Sequence, residues 1–246
     1  MFNLFKSCIT DFNDSDNHNT YDSNHLMEEQ KTFAEPLYDI NNQFDPYVQI
    51  FDNALTDTEC NEIIKLFENS NNHHKNGQVA GEIDGNSEKL LRAKYTRELY
   101  ISQLKNYPIM EQLDSKLYNN LKEYLNKYVA HVEKEVGHMS KFGEISDTGY
   151  QLQKYKKKKG YYVNHVDCHI CKENNIIKER VLTYIWYLND IEVGGETNLV
   201  GRAKIKPKTG RFLLFPANWD YPHAGLVPIS HDKYIITGWI YTHHKL

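Results

Sequence analysis

The chain has 246 residues, 25% of them charged and 40% hydrophobic, with a formal net charge of −4. That length buries a core without help from disulfides or a structural metal, and the mild negative charge argues against a dedicated nucleic-acid binder. Four cysteines (Cys8, Cys60, Cys168, Cys171) are too few and too scattered for a disulfide framework. No run is apolar enough for a signal peptide or a membrane span, so a cytoplasmic location with no membrane partner is expected.

Residues 1–35 hold seven acidic and two basic side chains, a balance of −5 that leaves +1 for the remainder. Few large apolar residues accompany that charge, so 1–45 is expected to be an acidic, mobile tail, and an interaction arm is one use for it. A single domain is expected over 46–246. Its first part, 46–148, supplies supporting elements. "YVQIFDNAL" predicts a strand, and "TDTECNEIIKLFENS" a helix opened by a Thr56/Glu59 capping box, with Cys60, Ile63, Ile64 and Phe67 on its buried face. His73 and His74 fall in a polar loop, and "KYTRELYIS" predicts another strand. A long helix follows over 109–136, with Leu113, Leu117, Leu121, Leu125, Val129, Val132 and Val136 facing something large and flat, such as a sheet.

From Gly149 the period changes to two. "YQLQKY", "YYVNHV", "VLTYIWYLN", "ETNLV", "AKIK", "RFLLFP" and "YIITGWIYT" are short β-branched and aromatic runs separated by Gly, Pro, Asn and Lys clusters. Strands this closely spaced predict a barrel or sandwich over 149–242, with the helices outside it.

Within that region "YYVNHVDCHICKEN" concentrates metal-binding side chains. A zinc site would need Cys168 and Cys171 plus a second pair of ligands; neither His243 with His244 nor Cys8 with Cys60 has the spacing for one. A redox C-x-x-C would need a strand-to-helix setting that is missing here. The cysteines are therefore read as part of a polar loop, "CHICKENNIIKER". His165 and Asp167 differ, because residues i and i+2 of a strand share a face. A second histidine would complete the 2-His-1-carboxylate triad of non-haem Fe(II). His223 lies 56 residues beyond Asp167, and Lys233 opens the last strand, where a buried ammonium would need an anionic partner.

H-x-D … H … K in this order, with "YLND", "GGET", "PKTGRFLLFP" and the N-terminal "YVQIFDNALTDTECNEIIKLFE", resembles the 2-oxoglutarate- and Fe(II)-dependent dioxygenases of the prolyl 4-hydroxylase type. The likeness spans roughly 46–242. It implies an α+β fold with a mainly β core: a double-stranded β-helix, or jelly-roll barrel, with supporting helices on one sheet. It implies that His165, Asp167 and His223 hold the iron and that Lys233 meets the distal carboxylate of 2-oxoglutarate. Tyr155, Tyr187 and Thr237 fall where the family lines that pocket, and Trp239 resembles a barrel tryptophan of the family, read as packing.

The implied reaction consumes 2-oxoglutarate and O2, with ascorbate as accessory reductant, and releases succinate and CO2 as the substrate is hydroxylated. Halogenating relatives lack the carboxylate, so Asp167 points to hydroxylation. Both histidines must be neutral to ligate, so metal affinity is expected to fall below about pH 6.5. A peptidyl-proline substrate on a protein or peptide fits best, with loops 70–90 and 168–180 as its expected contacts. The same chemistry on a free amino acid, a lysyl residue or a modified base is an alternative, as is a non-catalytic metal-binding module. Lys154 and Lys156 to Lys159 form either a solvated hairpin or an anion-attracting patch near the mouth. No arginine pair of the kind expected in a nucleic-acid demethylase precedes the last strand. Oligomeric state has no signature.

Overall fold

The computed structural model describes residues 45–77, 93–137 and 143–245. The expected acidic tail up to residue 44 and the loop positions 78–90 lie outside the described residues. No helix among the described residues is long and apolar enough to cross a membrane.

Two antiparallel sheets form the core. The larger has the order β1–β12–β9–β14–β6–β4–β2, with β5 on β14 and β8 on β9; the smaller is β11–β10–β13–β7–β3. In the larger sheet are β1 (Gln49–Phe51), β2 (Lys75–Asn76), β4 (Arg97–Tyr100), β5 (Glu144–Asp147), β6 (Gln151–Tyr155), β8 (Ile170–Glu173), β9 (Ile176–Tyr187), β12 (Phe212–Pro216) and β14 (Lys233–Lys245). The smaller sheet comprises β3 (Lys94–Tyr95), β7 (Tyr161–His165), β10 (Thr197–Leu199), β11 (Ala203–Ile205) and β13 (His223–Gly225). This is the expected jelly-roll arrangement.

Alternation in β9 separates the two cores. Leu182, Tyr184 and Trp186 join the helix-side cluster, whereas Ile185 and Tyr187 pack between the sheets with Leu213, Phe215 and Ile235. A strand covered on both faces reads as a continuous apolar run, which is why "VLTYIWY" carries so little polar alternation.

Helices α1 (Asp57–Asn69) and α2 (Pro108–Val136) cover the outer face of the larger sheet. Thr56 and Glu59 close the expected capping box: Thr56 N–H donates to the Glu59 carboxylate at 2.7 Å, and Glu59 N–H donates back to Thr56 Oγ1 at 3.3 Å. Cys60 is fully buried, and burial pushes its thiol up to about 11, as suits a core residue. In α2 the buried stripe drifts from the sequence expectation. Tyr124 and Tyr128 are buried where Leu125 and Val129 are only partly so, and Val136 is 42% exposed. A straight helix at 3.6 residues per turn leaves a strict four-residue step after a few turns.

Two further expectations are corrected. The polar loop at 168–180 is instead a hairpin, β8 turning into β9 through Asn174 and Asn175, both with positive φ. Asparagine tolerates that conformation, so the "ENN" run marks a turn between two strands. His74 is partly buried rather than free in solvent: its ring stacks on Phe67 at 4.0 Å, and its Nε2 pairs with the Phe67 carbonyl.

The short stretch 94–100 crosses from one sheet to the other. Lys94 on β3 and Glu98 on β4 form an ion pair at 2.5 Å with both side chains buried. Thr96 Oγ1 and Tyr100 Oη donate to the same carboxylate, at 3.0 and 2.8 Å. Removing one partner of a buried pair strands the other charge. Lys94→Met is expected to cost about 3–5 kcal/mol of stability in denaturant unfolding. Lys94→Met with Glu98→Leu should recover a large part of that loss; a Lys94→Met variant as stable as the wild type would contradict the pair's role.

Candidate metal centre and cosubstrate pocket

Strand β7 ends at His165, and β13 begins at His223. The two histidines are paired across the antiparallel register of these strands, which brings positions 58 residues apart to one point. Asp167 lies just past the end of β7. The donor atoms of His165, Asp167 and His223 all lie within 4.8 Å of one another, the only such group of three among the described residues. His165 Nε2 is 3.6 Å from Asp167 Oδ1, and His223 Nε2 is 3.3 Å from Asp167 Oδ2.

Hydrogen bonds set the imidazole tautomers. His165 Nδ1 lies 2.8 Å from the Val163 carbonyl, and His223 Nδ1 lies 3.0 Å from the Tyr221 carbonyl. A carbonyl only accepts, so each Nδ1 carries the proton and each Nε2 presents a lone pair to the centre. Thr183 Oγ1 donates to Asp167 Oδ2 at 2.7 Å and fixes the carboxylate. Tyr162 stacks on His165 at 3.5 Å, and Phe215 meets His223 edge-on at 4.9 Å. These contacts hold the three side chains in place, as an outer shell would in a metal site.

The charges follow from burial and proximity. Burial and the neighbouring His223 hold His165 below the ordinary histidine range. Burial works against ionisation of Asp167, but the two imidazoles outweigh it and hold the carboxyl well below the usual range. Burial also disfavours a charged His223, yet Asp167 prevails and raises it. Two neutral Nε2 donors and one carboxylate, with no thiolate among them, form a donor set that suits non-haem Fe(II).

The cavity beside this cluster is lined by Lys233, Tyr155, Thr237, Thr197, Trp239 and Lys94 among others. Lys233 is 1% exposed and forms no ion pair among the described residues. Its Nζ donates to the Gly195 carbonyl at 2.9 Å and lies 4.0 Å from the centre of the Tyr155 ring. Burial pulls it down to about 7, while Glu196 resists weakly. Gly194 and Gly195 both have positive φ, and a Cβ on Gly194 would sit 2.4 Å from the Val227 carbonyl. The two glycines of "GGET" thus allow the turn that presents the Gly195 carbonyl to Lys233.

The remaining expected residues divide. Tyr155 is in the cavity wall, but its hydroxyl donates to Gln153 Oε1 at 3.2 Å. Thr237 is there too, with its proton committed to the Tyr184 carbonyl at 2.9 Å. Tyr187 lies one layer behind: it is fully buried, and its hydroxyl donates to Thr197 Oγ1 at 2.6 Å. Trp239 is more than packing, since it lines the cavity with Arg180 stacked 3.9 Å over its ring. Lys94, Thr183, Thr197 and Tyr162 were not singled out by sequence reading. A Lys, Thr or Tyr on a strand has no motif, and only the fold shows what its face meets.

The lysine turn is not near the mouth. Lys156 to Lys159 precede Tyr161, at the end of β7 opposite His165. A five-residue strand separates the two by roughly 13 Å. Lys154 points to the helix side, paired with Glu68 at 2.9 Å and Asp232 at 3.2 Å.

Comparison with known proteins agrees with this geometry. Residues 150–241 match the family model of the 2OG-Fe(II) oxygenase superfamily. No curated protein matches the chain. Among solved structures, a viral collagen prolyl hydroxylase from Paramecium Bursaria Chlorella virus-1, in complex with 2OG, is similar at 22% identity and a TM-score of 0.55, covering 80% of this chain and 96% of that one. A prolyl hydroxylase from Trichoplax adhaerens, in complex with a hypoxia inducible factor peptide fragment, is similar at 19% identity and a TM-score of 0.52, covering 92% and 94%. A Pseudomonas putida prolyl-4-hydroxylase is similar at 12% identity and a TM-score of 0.52, covering 88% and 97%. Residues 150–241 thus match the 2OG-Fe(II) oxygenase superfamily model, and the chain has the fold of these prolyl hydroxylases.

Proposed function

We propose that His165, Asp167 and His223 hold Fe(II), that Lys233 binds the distal carboxylate of 2-oxoglutarate, and that the enzyme hydroxylates a prolyl residue in a protein or peptide. The observation that carries this reading is Lys233: a fully buried ammonium without a carboxylate partner among the described residues shares one cavity with a His-Asp-His cluster. A buried cation is tolerable when an anion meets it, and a dicarboxylate reaching from the metal centre is such an anion. The prolyl substrate is favoured by the likeness to three prolyl hydroxylases, one with a bound peptide.

When bound, Fe(II) supplies the oxygen activation that couples loss of CO2 from 2-oxoglutarate to hydroxylation, leaving succinate. The chain supplies placement. The Val163 and Tyr221 carbonyls hold both imidazoles in the ligating tautomer, and Thr183 keeps the Asp167 carboxylate facing them. Lys233 orients the cosubstrate through charge-assisted hydrogen bonds, each worth about 1.5–3 kcal/mol. Tyr155 and Thr237 have already committed their protons elsewhere, so their part is to shape the wall.

Three outcomes test this reading. Purified protein with Fe(II), ascorbate and 2-oxoglutarate should form succinate, faster with proline-rich peptides. Asp167→Ala and Lys233→Ala should lose at least about 100-fold of that rate, as removal of a transition-state or positioning group does. Turnover unchanged in both variants would sink the site assignment.

The second outcome concerns Lys233 and protons. In the unfolded chain Lys233 keeps its ordinary value of 10.5, and in the ligand-free fold it falls to about 7. Between those values the unfolded state binds the extra proton, so the ligand-free fold gains stability as pH rises through that window. Binding an anion recharges the lysine, so 2-oxoglutarate should take up a proton above pH 7 and lose up to about tenfold in affinity per pH unit. Calorimetry in buffers of different ionisation heat, with Mn(II) in place of iron, reads this uptake. Lys233→Arg, which stays charged, should abolish it.

Metal affinity gives the third. His223 is raised by Asp167, so proton competition should begin at a higher pH than for an ordinary histidine, and affinity should fall as pH drops through the raised value. His165, held low, contributes only at lower pH. Titration with Mn(II) followed by electron paramagnetic resonance checks the order, and constant affinity from pH 8 to 5 would contradict it.

A further inference from the structure

The barrel end that carries the metal cluster is also where the described chain begins. β1 runs antiparallel to β12 with Gln49 opposite Leu214, so residues 45–48 continue beside the start of the 217–222 loop, just before His223. There the Asp45 carboxylate accepts a hydrogen bond from Tyr221 Oη at 3.2 Å and forms an ion pair with Arg202. The Arg202 guanidinium lies 4.1 Å from the centre of the Tyr221 ring. Tyr221 in turn holds His223 through its carbonyl. The 44 residues before Asp45 thus join the fold at the rim of the metal cavity.

That rim exposes apolar surface. Trp219 is 78% exposed in the loop before His223, Ile170 is 61% exposed at the start of β8, and Val166, next to His165, is 38% exposed. β7 and β13 pair at the two histidines, so Val166, just after His165, and the loop bearing Trp219, just before His223, lie at the same end of the smaller sheet. The chain immediately upstream of the anchor reads "FAEPLYDINNQF", residues 33–44, with five large apolar side chains around one proline. Pro36, the only proline before Pro46, is nine residues from Asp45, at most about 30 Å of extended chain. Tyr221 is two residues from His223, about 7 Å along the chain, so the span reaches the cavity with length to spare. Charge agrees as well: Glu35 directly precedes Pro36, and Arg180, stacked on Trp239 in the cavity wall, has no ion pair among the described residues.

We propose that residues 33–44 dock in cis on this rim and that Pro36 is hydroxylated by the metal site of its own chain. The inference rests on the prolyl reading above and names a substrate for it. In the reaction one C–H bond of the Pro36 ring becomes C–OH with one atom of O2. The other oxygen atom enters the new carboxylate of succinate, and C1 of 2-oxoglutarate leaves as CO2. Proline and 2-oxoglutarate each lose two electrons, and O2 takes up all four.

A tether makes docking intramolecular, so its rate should not depend on protein concentration. The test is full-length protein incubated with Fe(II), ascorbate and 2-oxoglutarate, followed by peptide mass spectrometry and succinate assay on the same sample. The expected result is one added oxygen on Pro36, a burst of one succinate per chain, and a rate constant unchanged across a dilution series. Pro36→Ala should remove the burst, and Trp219→Ala should slow it severalfold with 2-oxoglutarate affinity unchanged. Steady succinate formation with Pro36 unmodified would overturn the inference and leave the oxygenase reading standing. A rate proportional to concentration would overturn docking in cis. No succinate from the full-length protein, with or without proline-rich peptides, would overturn both readings.

Discussion

The register of β7 against β13 is the constraint on which the site depends. Opposing His165 to His223 brings two donors within reach of Asp167. A slip of one residue would turn every side chain of β7 to the other face. The register is held from both sides: β13 pairs with β10 as well as β7, and β7 is also paired with β3. Tyr162 stacked on His165 and Phe215 set against His223 add side-chain contacts that only this register satisfies. The larger sheet, braced by α1 and α2, gives the smaller one a fixed wall to face.

Charge within the barrel is arranged in two ways. Lys94 and Glu98 neutralise each other and receive two further hydroxyl donors, so this pair is a finished structural network. Lys233 is unfinished: it has a carbonyl and an aromatic face, and burial drives it toward neutrality. Both lysines line the same cavity. The contrast separates a lysine that holds the sheets together from one suited to an anionic ligand, and residue type alone does not make that distinction.

The rim joins the fold to the rest of the chain. Asp45, the first described residue, bonds Arg202 and Tyr221 and so sits beside the loop that leads to His223. Beyond the rim, β8, the start of β9, the end of β14 and β5 extend the larger sheet. This extension replaces the loop expected at 168–180. It gives Arg180, Trp239 and Tyr241 a rigid platform, with Arg180 Nε donating to Tyr241 Oη at 3.1 Å.

By itself the sequence determined the barrel, its helical support and a set of candidate site positions. Period-two runs, a capping box and the order H-x-D … H … K are local patterns, and local patterns reflect local physics: which face a side chain takes and which backbone group it caps. Only the tertiary structure decided what those residues meet. It moved the lysine turn away from the mouth, set Tyr187 behind Thr197, brought Trp239 to the cavity and buried Lys94 against Glu98. Each of these is a contact between segments far apart in sequence. Such contacts are fixed by register, twist and packing between sheets, and none of the three leaves a mark on any short stretch of residues.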